Sequence, residues 1–349
     1  MNSAVRQLIA ALLLTQVASV VAWSADGSGL LRVVARYGIG GQETGYDYLR
    51  LDPSAQRLFV AHATRVEVLD TATGKQLGFI PDTPGVHGVA LAPAVNHGFT
   101  SNGADRTVTM FDMRTLQTLS VIRYTGVKPD AIELDSDTGH VFVVNGGSTG
   151  DITVLAADTG AIIGTVVLNA GKLEEVKFDG KGRGFVNDEA RGVVYAFSTH
   201  TLQRLATWPL APGAEPTGLA IDTAHHRLFA ACGNRQLVVL DTDNGRVVAT
   251  SAIGLDPDGA AFDSIRGRVY TSNRDGTLTV LHQDTPDRYR LLQNVPTEPG
   301  ARTLALDAVS GRVYLAAAKF GPAPAATDAV PEPRAPMLPE SFVVLVVGE

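Results

Sequence analysis

The stretches PTGLAIDTAHHRLFAAC (residues 216–232) and PDGAAFDSIRGRVYTSN (residues 257–273) are two copies of one unit. Each copy begins with a short apolar strand that ends at an aspartate, turns through a few polar residues, and continues with a strand that contains an aromatic residue. Five further copies align with these two, and the anchor positions of the full set are Asp52, Ala92, Asp135, Asp179, Asp222, Asp263 and Asp307. The chain therefore repeats one supersecondary unit seven times.

The anchors are separated by 40, 43, 44, 43, 41 and 44 residues. This period is typical of four-stranded propeller blades. A third strand, such as QLVVLD (236–241), and a fourth, such as RVVATSAIG (246–254), follow the first two. The sequence therefore predicts an all-β fold, a seven-bladed β-propeller of four-stranded antiparallel blades.

The two ends of the propeller region are predicted to share the last blade. The seventh copy ends with its third strand, FVVLVV (342–347), and has no fourth strand after it. The stretch RVVARYGIG (32–40) is identical to the fourth strand RVVATSAIG (246–254) at six of nine positions. We expect this N-terminal strand to complete the seventh blade and so remove an exposed sheet edge.

The first residues have the pattern of a signal peptide, which we place at residues 1–24. One arginine precedes an apolar run, and small residues follow it. The alternative is an anchoring helix, but Thr15, Gln16 and Ser19 interrupt a stretch already short for one. We therefore expect a periplasmic or secreted protein with no membrane span after cleavage.

The remaining chain is predicted to form one domain, a propeller over residues 29–348. The proline-rich segment GPAPAATDAVPEPRAPMLPE (321–340) falls inside blade 7 and cannot keep ladder hydrogen bonds throughout. It is read either as an extended surface loop on the rim or as an insertion without consequence. The net charge of −7 argues against nucleic acid as a partner, because such binding depends on clustered lysine and arginine. A single cysteine, Cys232, excludes an internal disulfide, and we expect a soluble monomer.

Polar residues recur at the start of each first strand. The positions five residues before the anchors are Asp47, His87, Asp130, Glu174, Thr217, Asp258 and Arg302. Because the first strands begin at one end of the ring, we expect these side chains to converge on the mouth of the central channel. Strand ends that simply meet water would also be polar. Converging charges, however, are costly to desolvate unless a ligand compensates them.

A second set of residues ends the second strands, and we expect it at the same mouth. Its members are His62, Asn102, Asn145, Asp188, Cys232, Asn273 and Ala317. His62 and His87 come from adjacent blades, which predicts either a divalent metal site or a general base oriented by a carboxylate. Arg302 is expected to bind an anionic group of a ligand or to pair with a neighbouring acid. Cys232 is a candidate soft-metal ligand, but it is more typical of a small packed residue.

Several motifs resemble one propeller family. They include GYDYLRLDPSAQRLFVAH (45–62), TPGVHGVAL (83–91), EPTGLAID (215–222) and GARTLALD (300–307). In these motifs the chain resembles the YVTN-repeat, YncE-like family of seven-bladed propellers, bacterial proteins that are often exported. The resemblance implies a rigid disc used for binding. Related propellers include a DNA-binding protein and, more distantly, lactonases.

Three functional hypotheses remain open. The first is an exported binding protein that holds a small ligand, a metal ion or a partner protein at the channel mouth. The second is a periplasmic hydrolase or lactonase with a mouth histidine as general base and a metal-activated water. The third is a protein that interacts only through its proline-rich loop. No Gly-x-Ser-x-Gly motif occurs, so no covalent nucleophile is indicated.

Overall fold

The computed structural model describes residues 29–123, 126–147, 150–327 and 335–349. These residues form seven four-stranded antiparallel sheets. The innermost strands contact one another in a closed cycle, since each touches the next and the innermost strand of the last sheet touches that of the first. The predicted seven-bladed, all-β propeller is confirmed.

The chain enters the fold through β1 (Arg32–Gly38). The strands of blades 1 and 2, from the channel outward, are β2 (Leu49–Asp52), β3 (Arg57–His62), β4 (Arg65–Asp70), β5 (Gln76–Ile80), β6 (Val86–Ala92), β7 (His97–Asn102), β8 (Thr107–Asp112) and β9 (Thr118–Arg123). Those of blades 3 and 4 are β10 (Pro129–Asp135), β11 (His140–Asn145), β12 (Ile152–Ala156), β13 (Ile162–Val166), β14 (Leu173–Phe178), β15 (Arg183–Asp188), β16 (Val193–Ser198) and β17 (Arg204–Pro209).

Blades 5 and 6 consist of β18 (Pro216–Asp222), β19 (Arg227–Cys232), β20 (Gln236–Asp241), β21 (Val247–Ala252), β22 (Pro257–Asp263), β23 (Arg268–Asn273), β24 (Thr277–Thr285) and β25 (Arg288–Pro296). Blade 7 contains β26 (Leu304–Asp307), β27 (Arg312–Ala317) and β28 (Val343–Gly348). Its fourth, outermost strand is β1, which pairs antiparallel with β28 and sets Tyr37 opposite Val344. The predicted closure of the ring by the N-terminal strand is confirmed.

The anchor aspartates shape the turn between the first and second strands. In blade 5 a carboxylate oxygen of Asp222 accepts the backbone N–H groups of Ala224 and His225, each at 3.2 Å. Asp263 does the same in blade 6 for Ile265 and Arg266. Such Asx turns satisfy backbone donors locally, which explains why aspartate recurs at this point of the repeat.

Apolar side chains fill the spaces between neighbouring blades. The cluster between blades 7 and 1 contains Tyr37, Tyr314 and Phe342, all buried. The hydroxyls of Tyr37 and Tyr314 both donate to the backbone oxygen of Thr71, at 3.0 and 3.2 Å. Burial of each large side chain contributes about 1.5–3 kcal/mol to folding, so these interfaces hold the ring rigid around its axis.

Two predictions concern segments that are partly or wholly outside the described residues. The signal peptide at 1–24 lies outside them entirely and stays a prediction. At the base of the proline-rich segment, Phe320 bridges to Met337, and Leu338 N–H donates to the oxygen of Lys319 at 2.8 Å. Met337 is buried in the cluster between blades 7 and 1, and its sulfur accepts the N–H of Gly45. The base of this segment therefore packs beside the chain that leads into blade 1.

Candidate functional site

A bulge near the start of the innermost strand sets the direction of the mouth side chains. In blade 2 the ladder pairs Val86 with Asn102 and next pairs Val89 with Thr100, so β6 has one residue more than β7 between these pairs. His87 is one of the two residues of β6 that lie in this bulge. Comparable register shifts occur in blades 3, 4, 5 and 6. A bulge bends a strand and re-aims a side chain, so the fold itself presents these residues to the mouth.

Hydrogen bonds between blades fix the backbone under the same residues. The donors come from a neighbouring blade, and the bonds are Ser101 Oγ to Asp130 O, Asn187 Nδ2 to Thr217 O, Ser272 Oγ to Arg302 O and Thr303 Oγ1 to Asp47 O. Each bond links the backbone oxygen of a mouth residue to a side chain of the preceding blade. The mouth is therefore preorganised, which lowers the entropic cost of binding a ligand there.

Three of the predicted residues form the centre of the mouth. Nδ1 of His87 lies 2.6 Å from Oδ2 of Asp47 and 3.6 Å from Oδ1 of Asp130. One ligand atom from each residue lies within 4.8 Å of the others, a spacing compatible with a single metal ion. Nε2 of His87 has no hydrogen-bond partner among the described residues, and a Cβ at Gly103 would come within 2.6 Å of it. Gly103 thus leaves room for the imidazole.

The surroundings of His87 favour its protonated form. Burial works to lower the pKa of His87, but the hydrogen bond to Asp47 and the charges of Asp130 and Asp47 outweigh it and raise the pKa above its usual value. Lys128 Nζ lies 3.3 Å from Asp130 and opposes this effect. The two carboxylates therefore stabilise the protonated form of His87.

Arg302 closes the ring of charges on the side of blade 7. Its Nη1 donates to Asp258, and its Nη2 lies 3.6 Å from Asp47 Oδ1. Its guanidinium lies 6.0 Å from the ring centre of Tyr46, within cation–π range. Arg302 therefore pairs with acids on both neighbouring blades, one of the two roles expected for it.

Glu174 occupies the side of blade 4. Its Oε1 lies 2.8 Å from Lys172 Nζ, which also pairs with Glu189. Burial, the charge of Asp130 and a hydrogen bond with Glu189 together raise the pKa of Glu174 well above the ordinary glutamate value. Thr217 differs from the rest, because its hydroxyl donates to the backbone oxygen of Pro257. Six of the seven predicted side chains are thus ionisable groups that pair with charged neighbours at the mouth, and Thr217 serves an inter-blade contact.

The residues that end the second strands lie inside the blades. His62, Asn102, Asn145, Asp188 and Asn273 are all between 0 and 2% exposed. Asn102 is representative: its Nδ2 donates to Thr107 and Thr109, and its Oδ1 accepts from Thr100. Asn102 and, in blade 6, Asn273 thus hold the third strand of their blades, and the role of the whole set as ligand residues stays a prediction.

His62 and Cys232 illustrate how completely these positions are enclosed. Nδ1 of His62 lies 3.1 Å from Glu67 Oε1, Nε2 faces the backbone oxygen of Glu43, and Phe342 covers the ring with a centroid distance of 4.5 Å. His62 does not belong to the three-residue group around His87. Cys232 is buried, and burial raises its thiol pKa to about 12, so its free thiol is protonated at neutral pH.

A further set of channel residues was not predicted from the sequence. These residues line the channel below the mouth and stand two or four positions before an anchor; they are Tyr48, Arg50, Glu133, Glu175 and Lys177. Strand alternation does not single them out, because apolar residues one and three before the anchors, such as Phe262 and Leu304, line the same channel.

The comparisons with known proteins leave the fold and the mouth as the basis for function. No protein-family model matches the chain, and a search of curated proteins finds no match. The described residues contain no helix with the length and apolar character needed to cross a membrane.

Proposed function

We propose that the chain is an exported binding protein whose channel mouth binds a divalent metal ion through Asp47, His87 and Asp130. The observation that carries the proposal is that one donor atom of each residue lies within 4.8 Å of the other two. Two carboxylates and one imidazole form a donor set used for divalent transition metals. His62 is left out, because Glu67, Glu43 and Phe342 enclose it.

Proton and metal compete for the same imidazole. A ligating histidine must be neutral, whereas the raised pKa of His87 favours its protonated form. Lys128 and Arg302 also pair with Asp130 and Asp47 and reduce the negative charge that a cation meets. The proposal therefore implies moderate metal affinity that increases with pH.

Calorimetric titration with Mn²⁺, Ni²⁺ and Zn²⁺ at pH 6 and pH 8 tests the proposal. We expect one site per chain, tighter binding at pH 8, and a loss of at least about tenfold in affinity for His87→Gln and for Asp130→Asn. His200→Gln is the matched control, because His200 also pairs with a carboxylate, Asp137 at 3.0 Å, but is not part of the group around His87. Equal affinity in wild type and His87→Gln would contradict the proposal.

A hydrolase or lactonase is the second candidate, and the hydrogen bond between Asp47 and His87 Nδ1 favours it. This bond fixes the imidazole so that Nε2 is available, which is the arrangement a general base needs. The test is hydrolysis of aryl esters and γ-lactones by wild type and His87→Gln, with and without added metal. Turnover that is absent in the wild type, or equal in the variant, would exclude this role for His87.

The motifs described above also support membership of the YVTN-repeat, YncE-like family and export to the periplasm or beyond the cell. Export is checked by expressing the chain in a bacterial host and determining the N-terminus of the periplasmic product. A mature N-terminus between residues 22 and 26 would support it. Light scattering of the same product tests the proposed monomer.

A further inference from the structure

Below the mouth, the central channel contains a cavity of about 430 Å³. Tyr48 lines its end nearest the mouth, since the backbone N–H of Tyr48 donates to the backbone oxygen of His87 at 3.0 Å. Pro53 and Ala308, from the first turns of blades 1 and 7, line its other end. The cavity therefore extends toward the face opposite the mouth, and its volume lies in the range of small-molecule sites.

The cavity has two chemically different walls. Blades 1, 3 and 4 supply the charged wall, which consists of Arg50, Glu133, Glu175 and Lys177. Blades 5, 6 and 7 supply an apolar wall that includes Ala220, Ile221, Ala261, Phe262, Leu304 and Leu306. An amphipathic cavity of this kind matches a ligand with a polar end and an apolar body.

The charged wall is an ion-pair network with no net formal charge. Arg50 Nη2 lies 2.5 Å from Glu133 Oε2, Lys177 Nζ lies 2.6 Å from Glu175 Oε1, and Lys177 also lies 3.4 Å from Glu133. Burial works to raise the pKa of Glu133, but Arg50 and Lys177 outweigh it and hold the pKa below its usual value. A ligand with a net charge would disturb this balance in a partly desolvated space, whereas a net-neutral one would not.

Two atoms of the network retain hydrogen-bonding capacity. Among the described residues, no partner contacts Nη1 of Arg50 or Oε1 of Glu133. Their side chains are 30% and 18% exposed, and both line the cavity. An unused donor and an unused acceptor therefore lie on neighbouring side chains that already form an ion pair.

We propose that this cavity binds a zwitterionic α-amino acid with a large apolar side chain. The carboxylate pairs with Arg50, the ammonium group pairs with Glu133, and the side chain packs against Phe262 and Leu304. This site is separate from the metal site at the mouth, because Asp47, His87 and Asp130 do not line the cavity.

Calorimetry with L-leucine and L-phenylalanine tests the proposal, together with N-acetyl-L-phenylalanine as an anion and L-phenylalanine methyl ester as a cation. We expect the zwitterions to bind at least tenfold more tightly than either blocked form. Glu133→Gln should weaken zwitterion binding about tenfold or more and shift the preference to the N-acetyl anion. Arg50→Gln should shift the preference to the ester. A variant that is merely misfolded would not reverse the charge preference.

Three further variants locate the binding. Ala261→Phe fills the cavity and should abolish binding, and circular dichroism shows whether it folds. Glu349→Gln is the matched control for Glu133→Gln, because Glu349 pairs with Arg268 and does not line the cavity. His87→Gln, which removes the proposed metal ligand, should leave amino-acid affinity unchanged. Absence of leucine and phenylalanine binding in the wild type, or an unchanged charge preference in both Glu133→Gln and Arg50→Gln, would overturn the proposal.

Discussion

Truncating Tyr37 to alanine should remove much of the stability that ring closure provides. Tyr37 belongs to the closing strand β1, is 7% exposed, and packs in the cluster between blades 7 and 1. Its hydroxyl donates to the backbone oxygens of Thr71 and Ala72 at 3.0 and 3.3 Å. A Cβ at Gly74 would lie only 2.2 Å from the ring, so the ring fits closely against blade 1.

The magnitude follows from these contacts. Removing a buried aromatic side chain costs about 3–5 kcal/mol, and deleting only the hydroxyl costs about 1 kcal/mol. We therefore expect Tyr37→Phe to lower the free energy of unfolding by about 1 kcal/mol and Tyr37→Ala by about 4 kcal/mol. Since typical proteins are stable by only about 5–15 kcal/mol, the alanine variant would be close to unfolding at elevated temperature.

Urea denaturation followed by circular dichroism measures both variants. Phe79→Ala is the matched control, because Phe79 lies on β5, the outermost strand of blade 1, and is 46% exposed. We expect that control to change the free energy of unfolding by less than about 1 kcal/mol. A Tyr37→Ala loss no larger than the Phe79→Ala loss would show that the closing strand does not hold the ring as argued.

Two further predictions concern pH and thiol chemistry. Because the folded protein raises the pKa of His87, the stability contributed by this histidine is complete below the unfolded pKa of about 6.5 and is lost as pH rises through the folded value. Urea denaturation should therefore show a lower free energy of unfolding at pH 8.5 than at pH 6, and His87→Gln should reduce this difference. The remaining difference is due to Glu174, whose pKa is also raised and acts with the same sign. Cys232, buried and with a pKa of about 12, should react with a disulfide reagent such as DTNB only after unfolding, and rapid labelling of the native protein would contradict its described environment.

The fold could be predicted because its determinants are local. Each anchor aspartate forms its turn with the residues that directly follow it, so a single copy already shows the strand–turn–strand pattern. The period between the copies then identifies the fold. Ring closure was also predictable, since β1 resembles the fourth strand of an earlier blade. Both inferences needed only sequence similarity within the chain.

The site was harder to predict from the sequence than the fold, because it depends on the direction of each side chain. In blades 2 to 6 the residues five before the anchors lie in bulges, which sequence spacing does not reveal. Asn102 and Asn273 end their strands near the same mouth, yet their side chains turn inward to threonines of the third strand. The channel wall containing Arg50 and Lys177 was missed, because residues at both alternating positions of the innermost strands line the channel.

The pairing of β1 with β28 has a consequence for how this molecule is made. The first strand of the propeller to leave the ribosome finds its partner only when residues up to 348 have been synthesised. Gly29 and Glu349 end up as neighbours, since a Cβ on the glycine would lie 3.6 Å from that of the glutamate. Until β1 pairs with it, β28 is an unpaired sheet edge that is open to pairing with another chain.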